Sequence, residues 1–199
     1  MKVTAPLAGL VLAGGYSRRM GQDKGLLQWH STPQRERLIN LLGMAGVENI
    51  TLSLRKDQVG AVVDLGVEIM VDQIEEGGPG AVLHQAWHQY PDRAWLVLAC
   101  DLPGVEEATL AALLRARDPS GYATAFVDPE TGWETPLCAI WEPKAAPEFI
   151  PVEGKSRGPL KILRRMKVRR IEPAHPEWLF HANTREERDV WLNKRMKKR

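Results

Sequence analysis

The chain has 199 residues, 44% of them hydrophobic, which suits one α/β domain over 1–199 burying roughly 70% of its unfolded surface. Its 27 basic and 25 acidic residues leave a net charge of +2, so composition gives no global argument for a nucleic-acid or membrane partner, and any anionic ligand has to be recognised locally. Cys100 and Cys138 are too few for a disulfide framework and lack the paired spacing of a structural zinc site, which fits a reducing cytoplasm.

Lys2 and the apolar run from Ala5 to Ala13 faintly resemble a secretory leader, but there is no lipobox cysteine and the same run makes a good first strand. No stretch approaches the roughly 20 apolar residues that span a bilayer. The run Leu7 to Ala13 is continuous and is stopped by Gly14-Gly15, the pattern of a strand buried on both faces that opens a parallel sheet. Apolar residues at Leu38, Leu41, Leu42 and Ala45 place a helix between Pro33 and Gly46. Asn49 to Leu54 reads as the second strand and Val67 to Val71 as the third, after a short helical or irregular link through Val59 to Val63. The Gly- and Pro-containing segment Asp72 to Gly80 reads as a loop, followed by a helix from about Ala81 to Tyr90. Trp95 to Ala99 is the fourth strand, Glu106 to Arg117 a helix, and Tyr122 to Val127 and Leu137 to Trp141 further strands about the turn Asp128 to Gly132. Thr184 with Glu187 three residues on forms a capping box that starts a terminal helix. Alternating strands and helices predict an α/β three-layer sandwich with a mainly parallel, twisted sheet.

Ligands of such folds bind at the carboxyl ends of the strands, so the segment leaving the first strand carries the most information. It reads Leu12-Ala13-Gly14-Gly15-Tyr16-Ser17-Arg18-Arg19-Met20-Gly21-Gln22-Asp23-Lys24. The glycine pair removes side chains where backbone N–H groups must approach a ligand, and Arg18, Arg19 and Lys24 add three positive charges. Neither G-x-x-x-x-G-K-[ST] nor G-x-G-x-x-G fits it. Later, Asp101 follows an apolar strand at Cys100-Asp101-Leu102-Pro103, where a carboxylate can emerge from the sheet and hold Mg²⁺ without a large burial cost. Asp72 is placed at the end of the third strand, beside the first, where an Asp also starts a loop.

The pattern L-A-G-G-x-S-x-R-M-G-x-D-K closely resembles the opening of the molybdenum cofactor guanylyltransferases, within the nucleotidyltransferase superfamily. The resemblance extends, less strictly, to Asp72 with Gly78-Pro79-Gly80, to Cys100-Asp101-Leu102-Pro103, to Pro136-Leu137-Cys138-Ala139, and to Asn183-Thr184 with Glu187. It implies a Rossmann-like nucleotidyltransferase fold in which Leu12, Ala13, Gly14, Gly15, Ser53 and Asp72 bind GTP, Lys24 and Arg19 act at its phosphates, and Asp101 carries Mg²⁺. The implied reaction is attack of the terminal phosphate of the molybdopterin cofactor on the α-phosphorus of GTP, with pyrophosphate leaving. The implied partners are proteins that supply or accept the molybdenum cofactor. The family usually reads Gly-Pro-Leu-Ala-Gly where this chain has Gly78-Pro79-Gly80-Ala81-Val82, and it often has Asn where Ser53 and His181 stand. These positions bear on base recognition and on the acceptor end. Two alternatives stay open: the same chemistry with CTP or with an acceptor such as a sugar phosphate, and a nucleotide-binding protein without catalysis.

Other features have plainer readings. His84 and His88 have the spacing of a two-His metal face but lack a companion Glu or third ligand, and read as helix surface. The basic stretch Lys161, Arg164, Arg165, Lys167, Arg169 and Arg170 reads first as a solvated face, with an acceptor-phosphate role and a nucleic-acid strip as the alternatives.

Overall fold

The computed structural model describes residues 4–17, 21–62, 64–74, 77–151 and 157–196. Among them, seven strands form one sheet: β1 (Leu7–Leu12), β2 (Ile50–Leu54), β3 (Glu68–Val71), β4 (Ala94–Ala99), β5 (Ala123–Val127), β6 (Glu134–Trp141) and β7 (Val168–Ile171), in the order β3-β2-β1-β4-β6-β5-β7. Strands β3, β2, β1 and β4 run parallel, with Leu12 level with Ser53 on one side and Ala99 on the other. Strand β6 is antiparallel to both β4 and β5, and β7 returns parallel to β5. The helices are α1 (Gln34–Met44), α2 (Gly78–Gln89), α3 (Glu107–Ala116), α4 (Pro159–Leu163) and α5 (Arg185–Met196).

Side-chain alternation on the central strands divides the interior in two. Val11, Leu52, Leu54, Leu96 and Leu98 face α1 and α3 through Leu38, Leu42, Leu110 and Leu113. Ala8, Leu10, Trp95 and Val97 point the other way, onto Leu83 and Ala86 of α2 and Ile162 and Leu163 of α4. That is the expected three-layer sandwich, and it explains why β1 and β4 are apolar at nearly every position. Trp87 and Trp141 both pack on Phe149 in the α2/α4 core, at ring separations of 5.3 and 5.0 Å. A smaller cluster of Leu27, Trp29, Ala182 and Trp191 seats α5 over the segment after β1.

Three expectations are corrected. Strand β3 pairs with β2 and not with β1, which is flanked by β2 and β4. Helix α2 starts at Gly78, three residues before the expected position, because Pro79 falls in the first turn, where its missing N–H would have no partner anyway. Strand β6 begins at Glu134, since the turn is held within Asp128 to Gly132 by the Gly132 N–H donating to the Asp128 carbonyl at 2.7 Å. The link after β2 is a 3-10 helix, Lys56–Ala61. The capping box at the start of α5 forms as read: the Glu187 N–H donates to Thr184 Oγ1 at 3.2 Å and the Thr184 N–H donates to Glu187 Oε2 at 2.9 Å.

The turn after β4 is fixed by a backbone crossing. A Cβ on Gly104 would collide with the carbonyl oxygen of Glu177, where the 3-10 turn Pro176–Leu179 packs Trp178 and Leu179 into the α1/α3 core. Because two main chains would have to separate, Gly104→Ala is expected to destabilise the fold by about 1–3 kcal/mol, read as a lower thermal midpoint.

Candidate active site

The parallel strands β1, β2, β3 and β4 end on the same edge of the sheet; Arg55 and Asp72 directly follow β2 and β3, and Gly14 and Asp101 come two residues after the ends of β1 and β4. The loop after β1 is anchored at both ends. The Ala13 N–H donates to the Ser53 carbonyl at 3.0 Å, and Asp23 caps the short turn Lys24–Leu26 by accepting from the Gly25 N–H at 2.8 Å. Arg18, Arg19 and Met20 lie outside the described residues, so the expected phosphate contact of Arg19 has no geometry here.

On the β2 side of β1 lies a cavity of about 1000 Å³, walled by Leu12, Gly14 and Gly15, by Ser53 and Asp72, and by the start of α2. The Asp72 carboxylate sits so close to Gly14 that a Cβ there would collide with Asp72 Oδ2. Although β2 lies between their strands, the two meet across the loop because Gly14 has no side chain. Ser53 is buried and donates from its hydroxyl to Asp72 Oδ1 at 2.5 Å. Its hydroxyl is thus committed to Asp72 and does not stand free in the cavity wall. Burial pushes the Asp72 carboxyl above its ordinary value, against the Ser53 hydrogen bond and the Arg55 charge.

On the β4 side, Asp101 faces Lys24 and His181. Lys24 Nζ donates to Asn183 Oδ1 at 2.6 Å and stands 4.0 Å from Asp101 Oδ2, while His181 Nδ1 stands 3.8 Å from that same oxygen. Asp101 is more enclosed than its place at a strand end suggested: its side chain is 21% exposed, and Oδ1 is buried with no hydrogen-bond partner. Burial alone would raise its carboxyl. The neighbouring His181 ring and the Lys24 charge outweigh that and hold it below the ordinary value; at 3.8 Å the His181 contact is that of an ion pair, longer than a hydrogen bond. Lys24 and Asp101 do not line the cavity under Gly14. The site thus has two parts, a pocket toward β2 and a charged group toward β4, with the glycine loop between them.

Two functional residues were not singled out from sequence. Arg55 donates from Nη1 to the carbonyls of Gly14 at 3.0 Å and Gly15 at 2.9 Å, and its guanidinium lies 4.5 Å from the Tyr16 ring centroid. Gln58 donates to the Ala13 carbonyl at 3.0 Å and to Asp23 Oδ2 at 2.6 Å. Together they brace the glycine loop from the β2 side, and the Arg55 guanidinium in the cavity wall is paired with Asp57 at 3.1 Å. The signal that could have found Arg55 is its position as the first residue after a parallel strand.

The other candidates stay apart from this geometry. Lys161, Arg164, Arg165, Lys167, Arg169 and Arg170 are all exposed and none lines the cavity. His88 is exposed and His84 partly so. Among the described residues no group of three or more His, Cys, Asp or Glu side chains could hold a metal alone, and no helix is long and apolar enough to cross a membrane. Both cysteines are buried and unpaired, and burial pushes the Cys138 thiol up to about 12.

Comparison with known proteins identifies the family of the chain. The model of the MobA-like NTP transferase domain matches residues 9–173, which contain the glycine loop, Asp72 and Asp101. The chain belongs to that family. It is 31% identical over 182 residues to a protein of Synechococcus elongatus described as a probable molybdenum cofactor guanylyltransferase, covering 89% of this chain and 93% of the relative. It is also 31% identical over 169 residues to the molybdenum cofactor biosynthesis bifunctional protein of Synechocystis, where the match takes in 84% of this chain and about half, 48%, of the longer relative. Among solved structures, molybdopterin-guanine dinucleotide biosynthesis protein A from Archaeoglobus fulgidus superposes with a TM-score of 0.74 over 96% of this chain and 100% of that one, at 19% identity, a likeness of fold. In this MobA-like NTP transferase the glycine loop, Asp72 and Asp101 all lie at the edge where the parallel strands end.

Proposed function

We propose that this MobA-like NTP transferase moves GMP from Mg-GTP to the terminal phosphate of molybdopterin and releases pyrophosphate, working in the cytoplasm as one unit over 1–199. The observation that carries the reading is the placement of Lys24, held at 2.6 Å by Asn183 and 4.0 Å from Asp101, beside a pocket closed by Gly14 and Asp72. The family match and the names of the relatives supply the substrates.

In this reading Asp72 accepts hydrogen bonds from the guanine edge or the ribose, and the backbone of Leu12, Ala13, Gly14 and Gly15 lines the nucleoside. Ser53 orients Asp72 through the 2.5 Å hydrogen bond. Lys24, with Arg19, meets the phosphates. The acceptor needs no general base, because the second pKa of a phosphate monoester lies near ~6 and the attacking oxygen is already ionised at neutral pH. The barrier is repulsion between two polyanions, and fixed positive groups lower it by positioning and by stabilising charge in the transition state.

Asp101 fits a divalent cation. Its Oδ1 is a buried acceptor without a hydrogen-bond partner, and magnesium takes one or two carboxylates together with substrate phosphates and waters. When bound there, Mg²⁺ would supply charge neutralisation on the transferring phosphate.

The test is to titrate GTP, CTP, UTP and ATP with Mg²⁺ and to follow pyrophosphate release with and without molybdopterin. GTP is expected to bind most tightly, with release dependent on the acceptor. Ser53 stands where the family often has Asn and commits its hydroxyl to Asp72, which is the observation favouring another base. A CTP preference would establish that second reading, and binding of nucleotide with no release would refute both.

A further inference from the structure

We propose that His181 is a second protein ligand of the divalent cation at Asp101, giving the site one carboxylate oxygen and one imidazole nitrogen and tilting its preference from Mg²⁺ toward Mn²⁺ or Co²⁺. This rests on the reading above only in placing a cation at Asp101.

The first support is distance. Nitrogen and oxygen donors lie about 2.1 Å from ions of this class, so two donors to one ion stand no more than ~4.2 Å apart, and about 3.0 Å apart when they meet it at a right angle. His181 Nδ1 and Asp101 Oδ2 are 3.8 Å apart, inside that limit, and the His181 side chain is 42% exposed, free to turn the short remaining distance. The donors are also available. The pair is too long for a hydrogen bond, and Asp101 Oδ1 has no partner.

The second support is how the two are held. The Ala182 N–H donates to the carbonyl of Asp101 at 2.8 Å, tying the main chain next to His181 directly to the residue it faces. The following residues are fixed in turn: the N–H groups of Asn183 and Thr184 donate to Glu187 Oε2 at 2.6 and 2.9 Å. The Lys24 ammonium, which also stands near Oδ2, is held on Asn183 at 2.6 Å. The proximity of His181 to Asp101 is therefore built into the backbone where the last helix begins.

The third support is chemistry. Imidazole suits transition metals, and affinity for a site containing it rises from Mn²⁺ to Co²⁺, whereas oxygen donors alone suit Mg²⁺.

The experiment adds Mn²⁺ to the full chain without nucleotide and follows it by electron paramagnetic resonance, using spin-echo modulation to detect a directly coordinated nitrogen. Wild type is expected to bind Mn²⁺ with a coordinated nitrogen. His181→Asn should lose the nitrogen signal and at least about tenfold in Mn²⁺ affinity, the scale on which perturbed metal sites respond, and Asp101→Asn should lose binding as well. His30, His84, His88 and His175 remain in both variants as internal controls. A wild type that takes up no Mn²⁺ at millimolar concentration, or a nitrogen signal that survives His181→Asn, overturns the proposal. In turnover, the ratio of Mn²⁺- to Mg²⁺-supported nucleotidyl transfer should fall in His181→Asn; an equal loss with both metals means that His181 serves as an ion-pair partner of Asp101, and also overturns it. Nitrogen ligation in a protein that transfers no nucleotide would leave this inference standing and count against the functional reading instead.

Discussion

Lys24→Ala is expected to lower the turnover number for nucleotidyl transfer by at least ~100-fold while leaving the fold intact, the scale of removing one preorganised charge contact to a transition state. The side chain is largely enclosed and held in place, with Nζ 2.6 Å from Asn183 Oδ1 and 4.0 Å from Asp101 Oδ2. Its direction is set before any substrate arrives, so substitution removes a positioned charge and not a wandering one. Asn183→Ala separates position from charge. It keeps the ammonium but removes the 2.6 Å hydrogen bond to position 183, and is expected to cost less than Lys24→Ala in turnover with little change in apparent nucleotide affinity. Single-turnover kinetics with a circular-dichroism check on folding would decide, and full activity in a folded Lys24→Ala protein would remove the basis of the proposed mechanism.

Gly14→Ala is the second large effect, and it acts through another residue. The new methyl would occupy the position of Asp72 Oδ2, while Asp72 Oδ1 is held by Ser53 at 2.5 Å, so the carboxylate has to leave both the wall of the pocket and its hydroxyl partner. Losing a hydrogen bond to a charged group costs about 1.5–3 kcal/mol, so the nucleotide dissociation constant should rise roughly 10- to 100-fold. A double-mutant cycle supplies the check. If Gly14→Ala works by displacing Asp72, the combination with Asp72→Ala binds no worse than Asp72→Ala alone; additive losses would mean that the methyl blocks the nucleotide itself.

Much of this was readable in the residues, for reasons that differ from place to place. β1 and β4 announce themselves because a strand covered on both faces has no polar positions, and Gly14-Gly15 and Asp101 mark where they stop. The capping box at Thr184 is a local device, complete within four residues, and forms as written. Strand order is not local. Nothing in the residues from Tyr122 to Trp141 says that β6, and not β5, lies against β4, because that choice depends on which hydrophobic face best covers the edge beyond β4. For the same reason Asp72 was assigned to a strand beside β1, whereas the meeting with Gly14 is made across an intervening strand. Arg55 and Gln58 are hard to read because their targets are main-chain carbonyls some 40 positions earlier, and the place of Arg55 directly after a parallel strand is the one hint the sequence offers. Asp101 was found, but its enclosure was not, because the residues that compensate it stand at 24 and 181.

The hydrogen bond from Lys24 to Asn183 joins positions 159 apart. During synthesis the first of these emerges from the ribosome long before the second, so the nascent chain carries its glycine loop, Asp72 and Asp101 before the 2.6 Å hydrogen bond on the lysine can form. A chain broken off ahead of the final helix would keep the residues that wall the cavity but not that bond.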